Sequence, residues 1–321
     1  MYKAAIKFIR LPIMITCSSL VFMGSVAAGA ITVKTLLAIF AFMACYIHAA
    51  STNDYSDRHI DAVNLQNAND RPLVSKDISF SQLWIIHSLS GILALILSAF
   101  YGINAVILAI VILVINYTYS LKPFRISDRG AMSQLVLAIA YVYYPFSLGY
   151  WASGTNIAYP WLLSAGLYLG FVARLFLKDF RDVKGDKKYG KMTFLLRHGA
   201  VVTCIVSGIL GITSLSIMLY VTKFNPGLSL ILVIGQVIAI RAVYRLSKLT
   251  SIEEQTRAVA SLAKTANISV ITILAYFLCL SQHQLSTTEA SLIPVILGLI
   301  MLLLNGLHAI DQRGVYVRAV S

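Results

Sequence analysis

Residues 34–61 read KTLLAIFAFMACYIHAASTNDYSDRHID. The first part, 34–51, carries no charged side chain after Lys34, and its length suits a bilayer crossing, for which an α-helix needs about 17 to 25 apolar residues. The second part sets Asp54, Asp57 and Asp61 at positions i, i+3 and i+7. An apolar helix running straight into an acidic cluster predicts a membrane protein with ionic chemistry at the end of its helices.

Outward from this stretch, apolar runs of similar length recur at 11–30, 80–100, 103–118, 132–152, 160–177, 200–221, 227–245, 266–281 and 291–309. With 34–51 they predict ten crossings, or nine if one of the two shortest, 103–118 and 266–281, only pairs with a neighbour. The chain of 321 residues is 58% hydrophobic and 12% charged, with a mean hydropathy of +0.79. That is more apolar surface than a soluble domain of this length can bury, so membrane lipid must surround it. No Pro/Gly/Ser-rich linker or hydrophilic domain interrupts the pattern. Residues 1–321 are therefore predicted to form a single all-α domain, a polytopic transmembrane helical bundle. The first run ends in VAAGA at 26–30, which imitates a signal-cleavage site; it is longer than the apolar core of a signal peptide and is read as the first transmembrane helix.

The 26 Lys and Arg outnumber the 13 Asp and Glu, for a net charge of +13. Such an excess could serve nucleic acid, so its placement decides. If Lys3, Lys7 and Arg10 are cytoplasmic and ten helices alternate, only Lys34 and Lys223 among the bases and Glu289 among the acids fall on the outer face. That is the asymmetry of the positive-inside rule. It predicts no nucleic-acid partner, a multi-pass protein of the cell inner membrane, and active-site loops on the cytoplasmic side, chiefly 52–79, 119–131, 178–199 and 246–265. Cys17, Cys45, Cys204 and Cys279 lie in apolar runs with no CxxC pair, and His48, His59, His87, His198, His283 and His308 are scattered. No zinc or haem site is predicted.

The i, i+3, i+7 spacing occurs twice: Asp179, Asp182 and Asp186 repeat it, again after an even-numbered helix. Two related halves with equivalent loops on one membrane face would produce that pattern. If each stretch is helical, three such carboxylates lie within roughly 60° of arc and about 10 Å, on one stripe. Clustered carboxylates repel one another unless a cation neutralises them, and hard oxygen ligands with room for phosphate and water favour Mg²⁺. Two facing stripes would hold one diphosphate through bridging metal and stabilise pyrophosphate as it leaves an allylic carbon. Asp57 and Asp182, one from each trio, are expected to carry the catalysis. Arg58, Arg71, Lys122, Arg125, Lys178 and Arg181 stand close by in sequence and are expected to meet the remaining phosphate charge. Lys184, Lys187 and Lys188 read as solvated. The tyrosines 117, 119, 141, 143, 144 and 150 with Trp151 could shield a carbocation, but they equally suit helix packing and the membrane interface.

NDYSDRHID at 53–61 resembles the NDxxDxxxD motif of the UbiA superfamily of intramembrane prenyltransferases, and KDFRDVKGD at 178–186 resembles its second Asp-rich motif. Arg10 and Pro12 opening the first helix, DRPL at 70–73, and Tyr119-Ser120 with Pro123 and Arg125 are further landmarks in the same order. The resemblance spans roughly residues 8–280. It implies nine helices around a central cavity open to lipid, with Mg²⁺ and prenyl diphosphate at its cytoplasmic end. It also implies that Asn53, Asp54, Asp57, Asp61, Asp179, Asp182 and Asp186 hold the metal-diphosphate. The sequence departs from the family where a base often follows the YSxxPxR segment: Ser127 stands there, with Arg129 two residues on. Transfer of the prenyl group to a lipophilic acceptor, an aromatic ring or quinone precursor, is the leading reading. A terpene cyclase of the same fold remains open, and so does a membrane transporter. A transporter normally has ionisable groups at mid-membrane, and these runs lack acids there.

Overall fold

The computed structural model describes residues 8, 10–64, 71–281 and 292–305. Lys3, Lys7, Asp70, His283, Glu289 and His308 lie outside the described residues. The chain is all-helical: α1 (Leu11–Ala27), α2 (Val33–Ser56), α3 (Arg58–Asn64), α4 (Phe80–Ala99), α5 (Ile103–Ser120), α6 (Ala131–Ala152), α7 (Trp161–Lys188), α8 (Phe194–Val221), α9 (Pro226–Leu246), α10 (Ile252–Leu280) and α11 (Leu292–Asn305). Eight of them are long and apolar enough to cross a membrane, and α1 and α11 are shorter apolar helices.

Each predicted crossing coincides with a helix, but four helices overrun the predicted apolar runs. α2 continues past 51 to Ser56, α7 past 177 to Lys188, α8 begins at Phe194 rather than 200, and α10 begins at Ile252 rather than 266. Hydropathy reports the surrounding solvent, whereas the backbone ladder continues wherever the residues tolerate a helix. Both Asp motifs consequently sit on helical backbone, not in open loops.

The chain divides into two compact units. The first comprises Met1–Ser164 and Arg181–Gly199, the second Ala165–Phe180 and Ala200–Ser321. α7 threads both, and α8 is broken at the boundary by Gly199, whose φ of 80° leaves the helical region.

In the first unit, small and polar residues let helices approach closely, as association without a water-driven hydrophobic effect requires. α1 crosses α6 where Gly24 and Gly149 face each other's backbone: a Cβ on Gly149 would collide with the Val21 carbonyl, and one on Gly24 with that of Phe146. Ser25 Oγ donates to the Gly149 carbonyl at 2.8 Å, and Thr32 Oγ1 to that of Ala152 at 2.8 Å. α4 buries Ser90, Gly91, Ala94 and Ser98, with Gly91 lying against the His48 ring of α2. Leu89, Ile92 and Ile96, by contrast, are exposed, as a lipid-facing stripe should be. α6 widens into a π turn over Ile139–Tyr143. Pro145 explains the disturbance: it has no N–H to give the carbonyl four residues back, that of Tyr141. Cys17 Sγ donates to that carbonyl at 3.4 Å.

The second unit uses the same device. Ser207 and Ser214 of α8 donate to the Ala173 and Gly166 carbonyls of α7 at 2.8 and 2.7 Å. Arg174 Nη1, a charge within an apolar helix, donates to Asn267 Oδ1 at 2.6 Å. α11 brings Gly298 against Ile231 and Thr272.

Replacing Gly149 with valine should force α1 and α6 apart, because the obstacle is backbone that cannot rotate away. Overpacking of this kind costs about 1 to 3 kcal/mol. Thermal unfolding in lipid nanodiscs should show a clear drop in Tm, and an unchanged Tm would contradict the close crossing.

Candidate active site

The first Asp motif occupies the end of α2 and the first turn of α3. Asp57 caps α2, and backbone bonds run from its N–H to the Asn53 carbonyl at 2.8 Å and from the Asp61 N–H to its own carbonyl at 2.7 Å. The i, i+4 rhythm thus survives the junction, and the three aspartates face inward. Asp54 and Asp57 are 1% and 5% exposed, burial that a carboxylate tolerates only with a partner.

Each carboxylate meets at least one cation, and Arg71 is shared by two. Arg10, just before α1, places Nη2 2.6 Å from Asp54 Oδ1. Arg71 sets Nε 2.7 Å from Asp61 Oδ2 and 3.7 Å from Asp54 Oδ1. Asp57 receives two: Arg125 Nη2 at 2.9 Å on Oδ1 and Lys191 Nζ at 3.0 Å on Oδ2. Asn53 Nδ2 and Ser56 Oγ add bonds to Asp57 at 3.1 and 3.3 Å. Burial pushes the Asp57 carboxyl up, but Lys191, Arg125 and Asn53 outweigh it and hold it below the ordinary carboxylate range. At Asp61 the balance reverses: burial dominates the attraction of Arg71, Asp57 adds like charge, and the group is raised.

Arg125 reaches Asp57 from the turn after α5 in a left-handed conformation, φ 35°, which is uncommon for a residue with a side chain. Its N–H to the Leu121 carbonyl at 2.8 Å, and its Nε 3.2 Å from Asp128 Oδ2, hold it there.

Of the second motif, Lys178 and Asp179 belong to the second unit, where Asp179 is buried and Lys178 half-buried. Arg181, Asp182 and Asp186 belong to the first. Arg181 clasps Asp182 with Nε and Nη2 at 2.9 and 3.2 Å, a forked pair at the surface. Asp186 is 1% exposed, with Oδ1 3.9 Å from Lys191 Nζ. Gly185 packs on Asn64, whose Oδ1 takes the Gly185 N–H at 2.5 Å. A side chain at 185 would clash with that amide, so the glycine lets the end of α7 lie on the end of α3.

Among the cations expected at phosphate, Arg71 and Arg125 lie among the aspartates of the first motif. Arg58 turns away: its Nη1 donates to the Tyr55 carbonyl at 2.7 Å and its guanidinium covers the Tyr55 and Phe80 rings. Lys122 is exposed, and Arg129 donates to the Phe124 carbonyl at 2.9 Å. Lys184, Lys187 and Lys188 are exposed. The sequence reading passed over Arg10 and Lys191 as site residues. A usable signal for Lys191 was Gly190, since a glycine just past a helix end reverses the chain onto it.

Among the described residues, no three carboxylate, imidazole or thiol groups converge where one ion could be held. The donor set still fits a hard divalent cation: it is all oxygen, and Asp57 and Asp186, one from each motif, share a single positive group at Lys191. In this arrangement guanidinium and ammonium groups neutralise the carboxylates.

The model of the UbiA prenyltransferase family matches residues 13–271. Digeranylgeranylglyceryl phosphate synthase of Sulfurisphaera tokodaii is 29% identical over 247 residues, 73% of this chain and 82% of that one. The 2-acylphloroglucinol 4-prenyltransferase of Humulus lupulus is 28% identical over 187 residues, 55% of this chain and 44% of the relative. In fold, the chain is similar to a UbiA homologue from Archaeoglobus fulgidus solved with GPP and Mg²⁺, with a TM-score of 0.63, 17% identity, and coverage of 84% of this chain and 99% of that one. The apolar helices, the two Asp motifs on helix ends and the matched span agree: the chain belongs to the UbiA prenyltransferase family, multi-pass membrane enzymes that transfer a prenyl group from a prenyl diphosphate.

Proposed function

We propose that this enzyme works with Mg²⁺ and delivers the prenyl group to a lipophilic acceptor inside the membrane, an aromatic ring or quinone precursor. The observation that carries the metal is the sharing of one positive group by Asp57 and Asp186, buried carboxylates from the two motifs. The A. fulgidus homologue, solved with GPP and Mg²⁺, supports it, and the hop relative's name supports the aromatic acceptor. The residues assigned to the metal-diphosphate are Asn53, Asp54, Asp57, Asp61, Asp182 and Asp186, with Asp179 by its place in the repeated spacing. Bound there, Mg²⁺ supplies the Lewis acidity that stabilises pyrophosphate as it departs. Arg71, Arg125 and Lys191 lie on these carboxylates and are placed to take up phosphate charge as it grows on the leaving group. Arg181, forked onto Asp182, is assigned to the diphosphate with that acid, and Lys122, exposed after α5, and Lys178, beside Asp179 in sequence, are assigned to it by their place next to the motifs. Arg58 orders the junction of α2 and α3.

The family match runs from 13 to 271 and so across both compact units, which supports reading 1–321 as one functional domain. The cytoplasmic placement of the motifs rests on charge: Lys34 begins α2 and Lys223 precedes α9, at the ends opposite to the aspartates of α2 and α7.

Three outcomes test this reading. Prenyl transfer in nanodiscs should stop in excess EDTA and return with Mg²⁺; full turnover in EDTA would remove the metal. Asp57→Asn and Asp182→Asn should each lower kcat on the order of 10² to 10³-fold, as loss of one transition-state-stabilising group does elsewhere, with the protein still folded. Near wild-type turnover by either variant at saturating Mg²⁺ and prenyl diphosphate would take that residue out of the site. Cysteines introduced at Ser75 and Lys187 should label from the same face of sealed vesicles, and labelling from opposite faces would refute the topology.

A further inference from the structure

Lys191 is placed by the backbone rather than by its own helix. α7 ends at Lys188, Gly190 takes φ 69°, and the Lys191 N–H returns to the Asp186 carbonyl at 2.9 Å. This helix-ending reversal, which glycine adopts without steric cost, folds the Lys191 side chain back over the motif it has just left. Its ammonium lands 3.0 Å from Asp57 Oδ2 and 3.9 Å from Asp186 Oδ1. Both acids are almost fully buried, and Lys191 itself is only 14% exposed. Lys191 thus offsets the repulsion between two buried carboxylates from different segments, beside the Arg125 that also meets Asp57.

We propose that Lys191 is a displaceable counter-cation: it neutralises Asp57 and Asp186 in the resting enzyme and moves to the diphosphate when a divalent ion takes those carboxylates. The inference rests on the metal-dependent reading above. Its physical content is competition followed by cooperation. A metal ion arriving alone must expel an ammonium from the same oxygens, and the expelled charge is then left beside the ion, where like charges repel. A diphosphate arriving with the metal gives the ammonium an anion to pair with, and Lys is a natural point-charge partner for phosphate. Metal and diphosphate should therefore bind as a pair, each improving the other's affinity by the same factor. Arg125 and Ser56 hold the other oxygen of Asp57, Oδ1, so the acid stays partnered after the exchange.

The test measures Mn²⁺ binding by electron paramagnetic resonance to the full chain in lipid nanodiscs, with and without inorganic pyrophosphate. Wild type is compared with Lys191→Gln, Lys191→Met and Lys191→Arg, and folding is checked by thermal unfolding. Removing the charge should tighten Mn²⁺ binding without pyrophosphate by about tenfold and weaken pyrophosphate binding in the presence of Mn²⁺ by a similar factor, a change within the usual size of a coupling between two ligands. Lys191→Arg, which keeps the charge, should stay close to wild type in both. If Lys191 only braces the turn, Gln and Met would weaken both ligands together, and that overturns the proposal. So does unchanged Mn²⁺ affinity in a folded Gln or Met variant when the wild type binds Mn²⁺. A wild type that binds neither Mn²⁺ nor pyrophosphate would instead overturn the metal-dependent reading, and this inference with it.

Discussion

A carboxylate buried at the end of an apolar helix must be met by a positive group, and the first unit of this protein is organised around meeting that demand several times in a small space. Asp57 draws Arg125 from the turn after α5 and Lys191 from the turn after α7, while Asp54 draws Arg10 from before α1 and Asp61 draws Arg71 from before α4. Segments far apart in sequence are tied to the end of α2 for one electrostatic reason. Breaking one partner from such a pair leaves an uncompensated buried charge, commonly a loss of about 3 to 5 kcal/mol. The same cations are the groups an anionic substrate needs, so the contacts that neutralise the acids also equip the site for diphosphate.

The helices that hold this cluster are held by other means. Glycines and serines at the α1–α6 crossing bring backbone to backbone, and hydroxyls donate to carbonyls on the neighbouring helix. Packing of this kind does not depend on expelling water, which suits helices whose outer faces meet lipid. It joins the C-terminal end of α1 and the start of α2 to α6, at the ends away from Arg10 and the aspartates. The local irregularity of α6 is part of the same economy of contacts: Pro145 withholds a donor from the Tyr141 carbonyl, and Cys17 of α1 uses the vacancy.

Much of this was legible in the residues. The apolar runs located every described helix except the short α3, and the doubled i, i+3, i+7 spacing singled out acids of which Asp54, Asp57, Asp179 and Asp186 are buried. The misreadings share one cause. The stretches after 51 and 177 looked like loops because their residues are polar, yet α2 and α7 continue through them: polarity marks where the bilayer ends, not where hydrogen bonding along the backbone ends. The cations were harder. Arg58 neighbours Asp57 in sequence but turns toward aromatic rings and a carbonyl, while Arg125 and Lys191, remote in sequence, occupy Asp57.

By itself the sequence determined the solvent, the helical class, the acidic motifs and the family, because each of these is written in composition or in spacing along a single segment. Which base meets which acid was decided only by the tertiary structure. A guanidinium or ammonium acts over a few ångströms of space, and those distances arise when the ends of α2, α5 and α7 are brought together, through a left-handed Arg125, a reversal at Gly190 and the contact of Gly185 with Asn64. No pattern along one segment encodes that convergence, since it is a property of several segments folded against one another.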